Sequence, residues 1–228
     1  MKKNNTITKF LALMVALALV ACVPGEQTVN MQGASLKKIE VKAATTKKQK
    51  HATYNKKAKK EYIAFLKKVK KKAKKGMDFT VDGISMTVDI NFASYSICDV
   101  NNDGKLELLF YPFEGTDVGD EVYCYRNKKI THCGMIGKVV KTYKDGVIYS
   151  ETGTYGSSYH QWDKIKNGKV VSVASCCKIN EKVTGPCYIN KKKVSVSKMK
   201  KFTKKRNKKK TVKVTTKTAG LLKKLKTK

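Results

Sequence analysis

Apolar residues between positions 54 and 75 recur at three- and four-residue steps, which is the spacing of one face of an α-helix. They are Ala58, Tyr62, Phe65, Leu66, Val69 and Ala73, with lysines filling most of the positions between them. Gly76 follows as a residue that ends helices. The pattern predicts one amphipathic helix, whose apolar stripe we expect to pack on a sheet and not to lie on a membrane.

From Phe79 onward, β-forming residues alternate with pairs that favour tight turns. The turn pairs are Asp82-Gly83, Asn127-Lys128, Asp145-Gly146, Asn167-Gly168 and Asn190-Lys191. Because such pairs join adjacent antiparallel strands, they predict a meander that ends near Val196. Residues 197–205 are predicted to form a short helix, and residues 211–216 alternate as a strand does.

The predicted fold class is α+β: one N-terminal amphipathic helix packed on an antiparallel β-meander, followed by a basic C-terminal tail. The parts are a signal peptide at residues 1–22, a flexible linker at 23–52, the helix and meander domain at 53–205 and the tail at 206–228. Like charges repel along the end of the tail, which we expect to be mobile.

The first 22 residues have the order of an export signal. Lysines precede an unbroken apolar run at residues 10–20, and the small residue Ala21 follows. The run is shorter than the roughly 20 residues that cross a bilayer. Cys22 stands where the lipid-bearing cysteine of bacterial lipoproteins stands, while cleavage near residue 34 or 43 is the alternative. We expect the protein to be extracellular or anchored to the outer face of the cell membrane.

Charge indicates what the exported protein contacts. The chain has 50 lysines and arginines against 17 acidic residues, a net charge of +33. Such a field attracts anionic envelope polymers or a membrane surface; the alternative is a genomic bias towards lysine. Arginine, which reads bases and phosphates through its bidentate fork, is rare, so no sequence-specific nucleic-acid binding is expected.

Cysteine spacing bears on disulfides and zinc. Of the seven cysteines, six remain when Cys22 is set aside, and an exported domain with six cysteines is expected to form at least one disulfide. The alternative is that they are reduced and buried. No pair has the spacing of a structural zinc site. His132 and Cys133 are neighbours on a predicted strand and point to opposite faces, which disfavours a thiol nucleophile.

One segment, residues 99–107, has the spacing of a calcium loop. Oxygen-bearing side chains stand at loop positions 1, 3, 5 and 9, with glycine at position 6. The predicted ligands are Asp99, Asn101, Asp103 and Glu107 by side chain and Lys105 by its carbonyl. The alternative is a good turn with solvated acids. The twelfth position is Phe110, so the segment is not an EF-hand.

The D-x-N-x-D-G-x-x-E segment resembles the loops between strands in integrin-type and FG-GAP repeats, and related loops in dockerins. In those families the same positions bind calcium, which here is the expected cofactor. Together with the lysine-rich helix and the Y-x-N-G-K type of meander, the chain also resembles uncharacterised exported proteins of Gram-positive bacteria. That second resemblance implies an architecture and no activity.

A second candidate site is the aromatic segment around His160. Tyr159, His160 and Trp162 are candidates for a ligand groove that contacts glycans; the alternative is a loop whose aromatic residues cover the sheet. No partner carboxylate for His160 is evident at a usable spacing. The sequence therefore predicts no catalytic constellation.

The function expected from these patterns is that of a non-catalytic, calcium-stabilised envelope protein that binds anionic surface polymers. Two alternatives remain open: a secreted enzyme or enzyme inhibitor that acts on surface peptide or glycan, and an extracellular nucleic-acid binder. The basic tail lacks the interleaved aromatic residues that single-stranded nucleic acids stack on.

Overall fold

The structure, a computed structural model, describes residues 29–113, 119–154, 156–180, 182–214 and 217–222. The helices are α1 (Val29–Ala73) and α2 (Val196–Asn207). The strands are β1 (Phe79–Val81), β2 (Ile84–Met86), β3 (Ser94–Cys98), β4 (Glu107–Tyr111), β5 (Asp120–Arg126), β6 (Lys129–Ile136), β7 (Lys138–Tyr143), β8 (Ile148–Thr154), β9 (Ser157–Lys166), β10 (Lys169–Ile179), β11 (Lys182–Ile189), β12 (Lys192–Val194), β13 (Thr211–Val212) and β14 (Ala219–Gly220). The α+β class is confirmed.

The chain divides into two units, residues 1–48 and residues 49–228. The predicted signal peptide and Cys22 lie outside the described residues. Helix α1 begins at Val29, so residues 29–52, which were predicted to be a flexible linker, are helical. This stretch has six lysines, four alanines and no proline. Lysine and alanine both favour a helix.

A five-stranded antiparallel sheet in the order β14-β3-β4-β5-β6 packs against α1. The predicted helical stripe is buried against one face of this sheet. The cluster includes Tyr62, Leu66 and Val69 from the helix, with Leu108 and Tyr123 from the sheet. At roughly 2 kcal/mol for each large side chain removed from water, this contact is a main source of stability for the unit.

A seven-stranded antiparallel sheet in the order β12-β11-β10-β9-β8-β7-β13 packs on the other face of the five-stranded sheet. The residues between the two sheets include Leu109, Val122 and Ile148. Because side chains alternate along β8, Tyr149 points to the opposite face of the seven-stranded sheet. There it belongs to a third cluster with Trp162 of β9 and Met199 of α2. The unit therefore has four layers, which are residues 49–73 of α1, the two larger sheets and α2, and a further two-stranded sheet of β1 and β2, where a single meander was expected.

The predicted turn pairs lie at hairpin connections. Asp82, Asn127 and Asn167 all have φ between +48° and +53°, the left-handed region that asparagine and aspartate tolerate best. Lys128 and Lys191 also have positive φ, which shows that a lysine stands where glycine is usual. The prediction of these hairpins is confirmed.

Residues beyond 205 contribute to the fold. Strand β13 pairs with β7, and β14 pairs with β3. Leu221 is fully buried in the cluster beneath α1, and its N–H donates to the carbonyl of Ala93 at 2.7 Å. Residues 206–214 and 217–222 of the predicted tail are therefore part of the fold; the end that was expected to be mobile lies largely outside the described residues.

A disulfide joins Cys124 of β5 to Cys133 of β6. The free cysteines in the described part of the chain are Cys98, Cys176, Cys177 and Cys187. Cys176 and Cys187 face each other across β10 and β11 and are buried.

Candidate functional site

The predicted calcium loop connects β3 to β4, and its acidic side chains cap the loop's own backbone. The Asp103 N–H donates to Oδ1 of both Asp99 and Asn101, at 3.0 Å each. The other oxygen of Asp99 accepts from the Gly104 N–H at 2.8 Å, and Asp103 accepts from the Lys105 N–H at 2.8 Å. These bonds fix a tight turn in which Asn102 and Gly104 have positive φ.

Glu107 lies at the base of the loop and is 4% exposed. Its Oε2 accepts from the Val100 N–H at 3.0 Å. Burial raises the pKa of Glu107 well above its usual range, and the neighbouring charge of Asp103 adds to this effect. Burial also raises the pKa of Asp99. The loop thus brings a buried carboxyl group close to two further acids.

Helix α1 holds the loop from the side. The side-chain amide of Asn55 makes two hydrogen bonds to the backbone of the loop. Its Nδ2 donates to the Gly104 carbonyl and its Oδ1 accepts from the Leu106 N–H, each at 3.0 Å. Tyr62 donates to the Leu106 carbonyl at 2.9 Å. A Cβ added to Gly104 would lie 2.1 Å from Nδ1 of His51, so a side chain there would displace the His51 ring, and the φ of +87° independently favours glycine.

The oxygen atoms of the predicted ligands are of the type that a hard cation binds, but they do not point towards a common centre. All four predicted side chains offer oxygen, which calcium prefers. In the structure, however, Asp99, Asn101 and Asp103 are directed at N–H groups, and no cluster of three or more acids, histidines or cysteines capable of holding a metal occurs within the described ranges. The arrangement by itself makes a self-capped loop that docks on α1.

The three residues of the predicted groove do not line one surface. His160 and Trp162 are each 2% exposed and face the cluster under α2. Tyr159, their neighbour on β9, points to the opposite face and is 36% exposed. The segment is strand rather than loop, since β9 covers Ser157–Lys166.

His160 is instead part of a polar network on one face of β8 and β9. Its Nε2 lies 2.7 Å from Oγ of Ser158. Its Nδ1 lies 2.6 Å from the Tyr149 hydroxyl and 3.2 Å from Oε1 of Glu151, and the Tyr149 hydroxyl also bonds to Glu151. Burial raises the pKa of Tyr149, and its hydrogen bond with Glu151 raises it further, so this hydroxyl keeps its proton.

Glu151 and Tyr149 were not predicted from the sequence as partners of His160. The signal that could have found them is strand alternation. Tyr149 and Glu151 are two residues apart, as are Ser158 and His160, and antiparallel pairing sets Glu151 opposite His160. A loop over residues 155–163, as the sequence alternative had it, would have no such register.

An open cavity of about 260 Å³ adjoins the network. Its lining residues are Thr152, Gly153, Ser157, Ser158, Tyr159 and Cys177. Ser158 belongs to both the lining and the network, but Tyr159 and its cross-strand neighbours Thr152 and Cys177 line the cavity from the face opposite to His160. A ligand in the cavity would contact hydroxyl groups, one aromatic ring and one thiol.

Exposed lysines form a basic surface, defined here by the β11–β12 turn and the outer side of α2. Its members are Lys191, Lys192, Lys193, Lys198, Lys200, Lys201, Lys204 and Lys205, all exposed. The inner side of α2 buries Met199, which fixes the lysines outward. Arg206 and Lys209 are bound to Asp145, at 2.7 Å each, and are excluded from this definition.

Comparison with protein-family models, with curated proteins and with solved structures finds no match for this chain. Across the described residues, no helix is both long and apolar enough to cross a membrane.

Proposed function

We propose that this chain is an exported protein of the cell envelope that binds anionic surface polymers through its basic surface. The observation that supports the proposal is the grouping of exposed lysines on α2 and the β11–β12 turn. No acid occurs from Lys182 to the last residue, so these charges have few partners within their own segment. A polymer with closely spaced negative charges would supply ionic partners for these lysines when it binds.

A charge-matched pair of variants tests this proposal. The basic-surface variant is K198Q/K201Q/K205Q, and the control is K60Q/K67Q/K71Q on the solvent side of α1, where all three lysines are also exposed. Each variant loses three positive charges. Binding to polyglycerol phosphate is measured by titration at several salt concentrations.

The basic-surface variant should bind more weakly, with a shallower dependence of the logarithm of affinity on the logarithm of salt, because fewer counterions are released. The control should keep most of the affinity and the slope. Equal losses in both variants would mean that only net charge matters, and the proposed surface would be rejected. Tighter binding to duplex DNA than to the envelope polymer would favour the nucleic-acid alternative.

Export is the second part of the proposal, and it is supported by the charged, apolar and small-residue order of residues 1–22. Expressed in a Gram-positive host, the protein should be found in the membrane or medium fraction with a mass below that of the full chain. Fatty acid incorporated at Cys22 and lost in Cys22→Ala would identify a lipoprotein. Full-length protein confined to the cytosol would overturn this part.

We also propose that calcium stabilises the β3–β4 loop. Support comes from the oxygen-only donor set and from the burial of Glu107 and Asn101, 4% and 5% exposed, beside it. Calcium binding would require Asp99, Asn101 and Asp103 to share their oxygens between the backbone N–H groups and the ion. Extracellular calcium sites have dissociation constants on the order of 10⁻⁴ to 10⁻³ M, so the effect on stability would be modest.

A further inference from the structure

We propose that Phe92, Phe113 and Leu222 form an apolar tip that inserts into the surface of an anionic phospholipid bilayer. The tip reaches the boundary between the lipid headgroups and the acyl chains and does not cross the membrane. That the bilayer is the outer face of the cell membrane rests on the proposed export. The contact itself is independent of export and of polymer binding by the basic surface.

The three side chains of the tip are large, apolar and exposed. Phe92 is 49% exposed, Phe113 is 38% exposed and Leu222 is 50% exposed. Single apolar side chains are common on protein surfaces, whereas a group of them marks an interaction site. The proposal therefore depends on whether the fold brings these three residues together.

Backbone hydrogen bonding places Leu222 beside Phe92. The Leu221 N–H donates to the Ala93 carbonyl at 2.7 Å, and these two residues are the chain neighbours of Leu222 and Phe92. Both Ala93 and Leu221 are fully buried in the cluster under α1. The exposed side chains are thus carried by backbone that is anchored in the core.

The turn at residues 89–93 also holds Phe113. The Asp89 N–H donates to the carbonyl of Pro112 at 2.9 Å, and Phe113 follows this buried proline. Within the turn, the Asp89 carbonyl accepts from the Phe92 N–H at 3.2 Å. One turn therefore joins the three segments that carry the tip.

Lysines adjoin the tip. Lys70 of α1 donates from Nζ to the Leu222 carbonyl at 2.6 Å. Lys74, whose N–H bonds to the Lys70 carbonyl one helical turn earlier, is exposed, as is Lys217. Residues 223–228, which follow Leu222 in the sequence, include four more lysines. The acids close to the tip in the sequence are Asp89 and Glu114.

This combination of groups fits an anionic bilayer. Apolar side chains gain free energy when they leave water for the acyl region, and lysines beside them are attracted to lipid phosphates. A lysine can also extend its methylene groups along apolar surface while its ammonium group stays at the level of the phosphates. The excess of lysine over acid next to the tip therefore favours anionic lipid.

A tryptophan placed in the tip reports insertion. Phe92→Trp is mixed with vesicles of phosphatidylglycerol and phosphatidylcholine whose acyl chains carry bromine, which quenches tryptophan on contact. The native Trp162 is the sole tryptophan of the chain and is 2% exposed, so it supplies a constant background. We expect the emission of Trp at position 92 to shift to shorter wavelength and to be quenched.

The matched control is Met135→Trp. Met135 is 52% exposed and lies on β6, at the edge of the five-stranded sheet opposite to β14. Its tryptophan should be neither shifted nor quenched. The full chain is used throughout, so the apolar run at residues 10–20, which itself favours a bilayer, is present in every variant and holds each protein at the vesicle.

Further substitutions in the Phe92→Trp protein test the other parts of the tip. Adding F113S/L222S should remove about half or more of the quenching, because two of the three apolar side chains are lost. Adding M135S/I179S, at side chains 52% and 51% exposed, should leave the quenching unchanged. Adding K74Q/K217Q should reduce it with the mixed vesicles and have no effect with phosphatidylcholine alone.

Several results would overturn the proposal. An unquenched tryptophan at position 92 in protein that sediments with the vesicles would show that the tip stays in water. Equal losses from F113S/L222S and M135S/I179S would remove the special role of these positions. Equal quenching by anionic and phosphatidylcholine vesicles would reject anionic lipid as the partner. A dimer in the wild type that is lost in F92S/F113S/L222S would assign the tip to contact between two copies of the chain.

Discussion

Asp163 shows how a single residue sets a pH dependence. It is 1% exposed, and Oδ2 has no hydrogen-bond partner in the part of the chain that the structure describes. Burial raises the pKa of its carboxyl group from 3.8 to about 7, although a hydrogen bond from Ser172 acts in the opposite direction. At neutral pH the fold therefore carries a carboxyl group that resists ionisation.

The stability of the protein is expected to decrease as pH rises from about 4 to about 7. Over this range the unfolded chain loses the Asp163 proton and the folded chain keeps it, so the unfolded state binds fewer protons. Each pKa unit corresponds to roughly 1.4 kcal/mol, which puts the decrease on the order of 1 to 4 kcal/mol. Urea unfolding at several pH values measures it.

Asp163→Asn should flatten this part of the pH profile, because the amide does not titrate. The control is Asp89→Asn at an exposed site, which should keep the wild-type decrease. A profile that is the same in both variants would show that Asp163 ionises normally in the fold.

At the scale of elements, the β3–β4 loop distinguishes a calcium site from a turn. Millimolar calcium should stabilise the fold by about 0.4 to 1.4 kcal/mol through mass action. Asp103→Ala removes a predicted ligand along with a bond to the Lys105 N–H, so it destabilises the loop under either interpretation. Only the gain in stability on adding calcium distinguishes a calcium site from a simple turn.

The control for this experiment is Asp89→Ala, since Asp89 makes a similar local bond to the Asn91 N–H at 2.9 Å outside the loop. Melting temperatures are compared in calcium and in chelator. The increment should vanish in Asp103→Ala and persist in Asp89→Ala. The same melting temperature for the wild type in both solutions would leave only the turn interpretation.

The elements differed in how well the sequence predicted them. Helix α1 has a clear apolar stripe, and the hairpins have local turn pairs, so both could be predicted from a few adjacent residues. The pairing of β14 with β3 could not, because Ala219 and Tyr95 meet only through the tertiary fold. The partner of His160 was missed for a related reason: Glu151 is brought to it by the register of two strands and not by proximity in the sequence.

For the whole unit, the C-terminal segment combines a high positive charge with a contribution to the core. Its many lysines predicted a solvated tail, but one of its residues, Leu221, packs in the core. Leu221 is fully buried, whereas Leu222 next to it is 50% exposed.

This pair gives a matched test of the tail as part of the fold. Leu221→Ala should lower the free energy of unfolding by about 2 to 5 kcal/mol, because it empties a site in the cluster under α1. Leu222→Ala should change it by less than about 0.5 kcal/mol. Denaturant unfolding measures both, and similar small effects would mean that the segment adds charge only.

The position of β14 also affects when the protein can fold. The five-stranded sheet begins with β3, at Ser94, and is completed only by Ala219–Gly220, close to the end of the chain. A chain emerging from the ribosome therefore lacks an edge strand and a core leucine until residues 219–221 have been synthesised. Such a delay keeps the nascent polypeptide loosely structured for longer, which suits the proposed export because secretory channels thread extended chains.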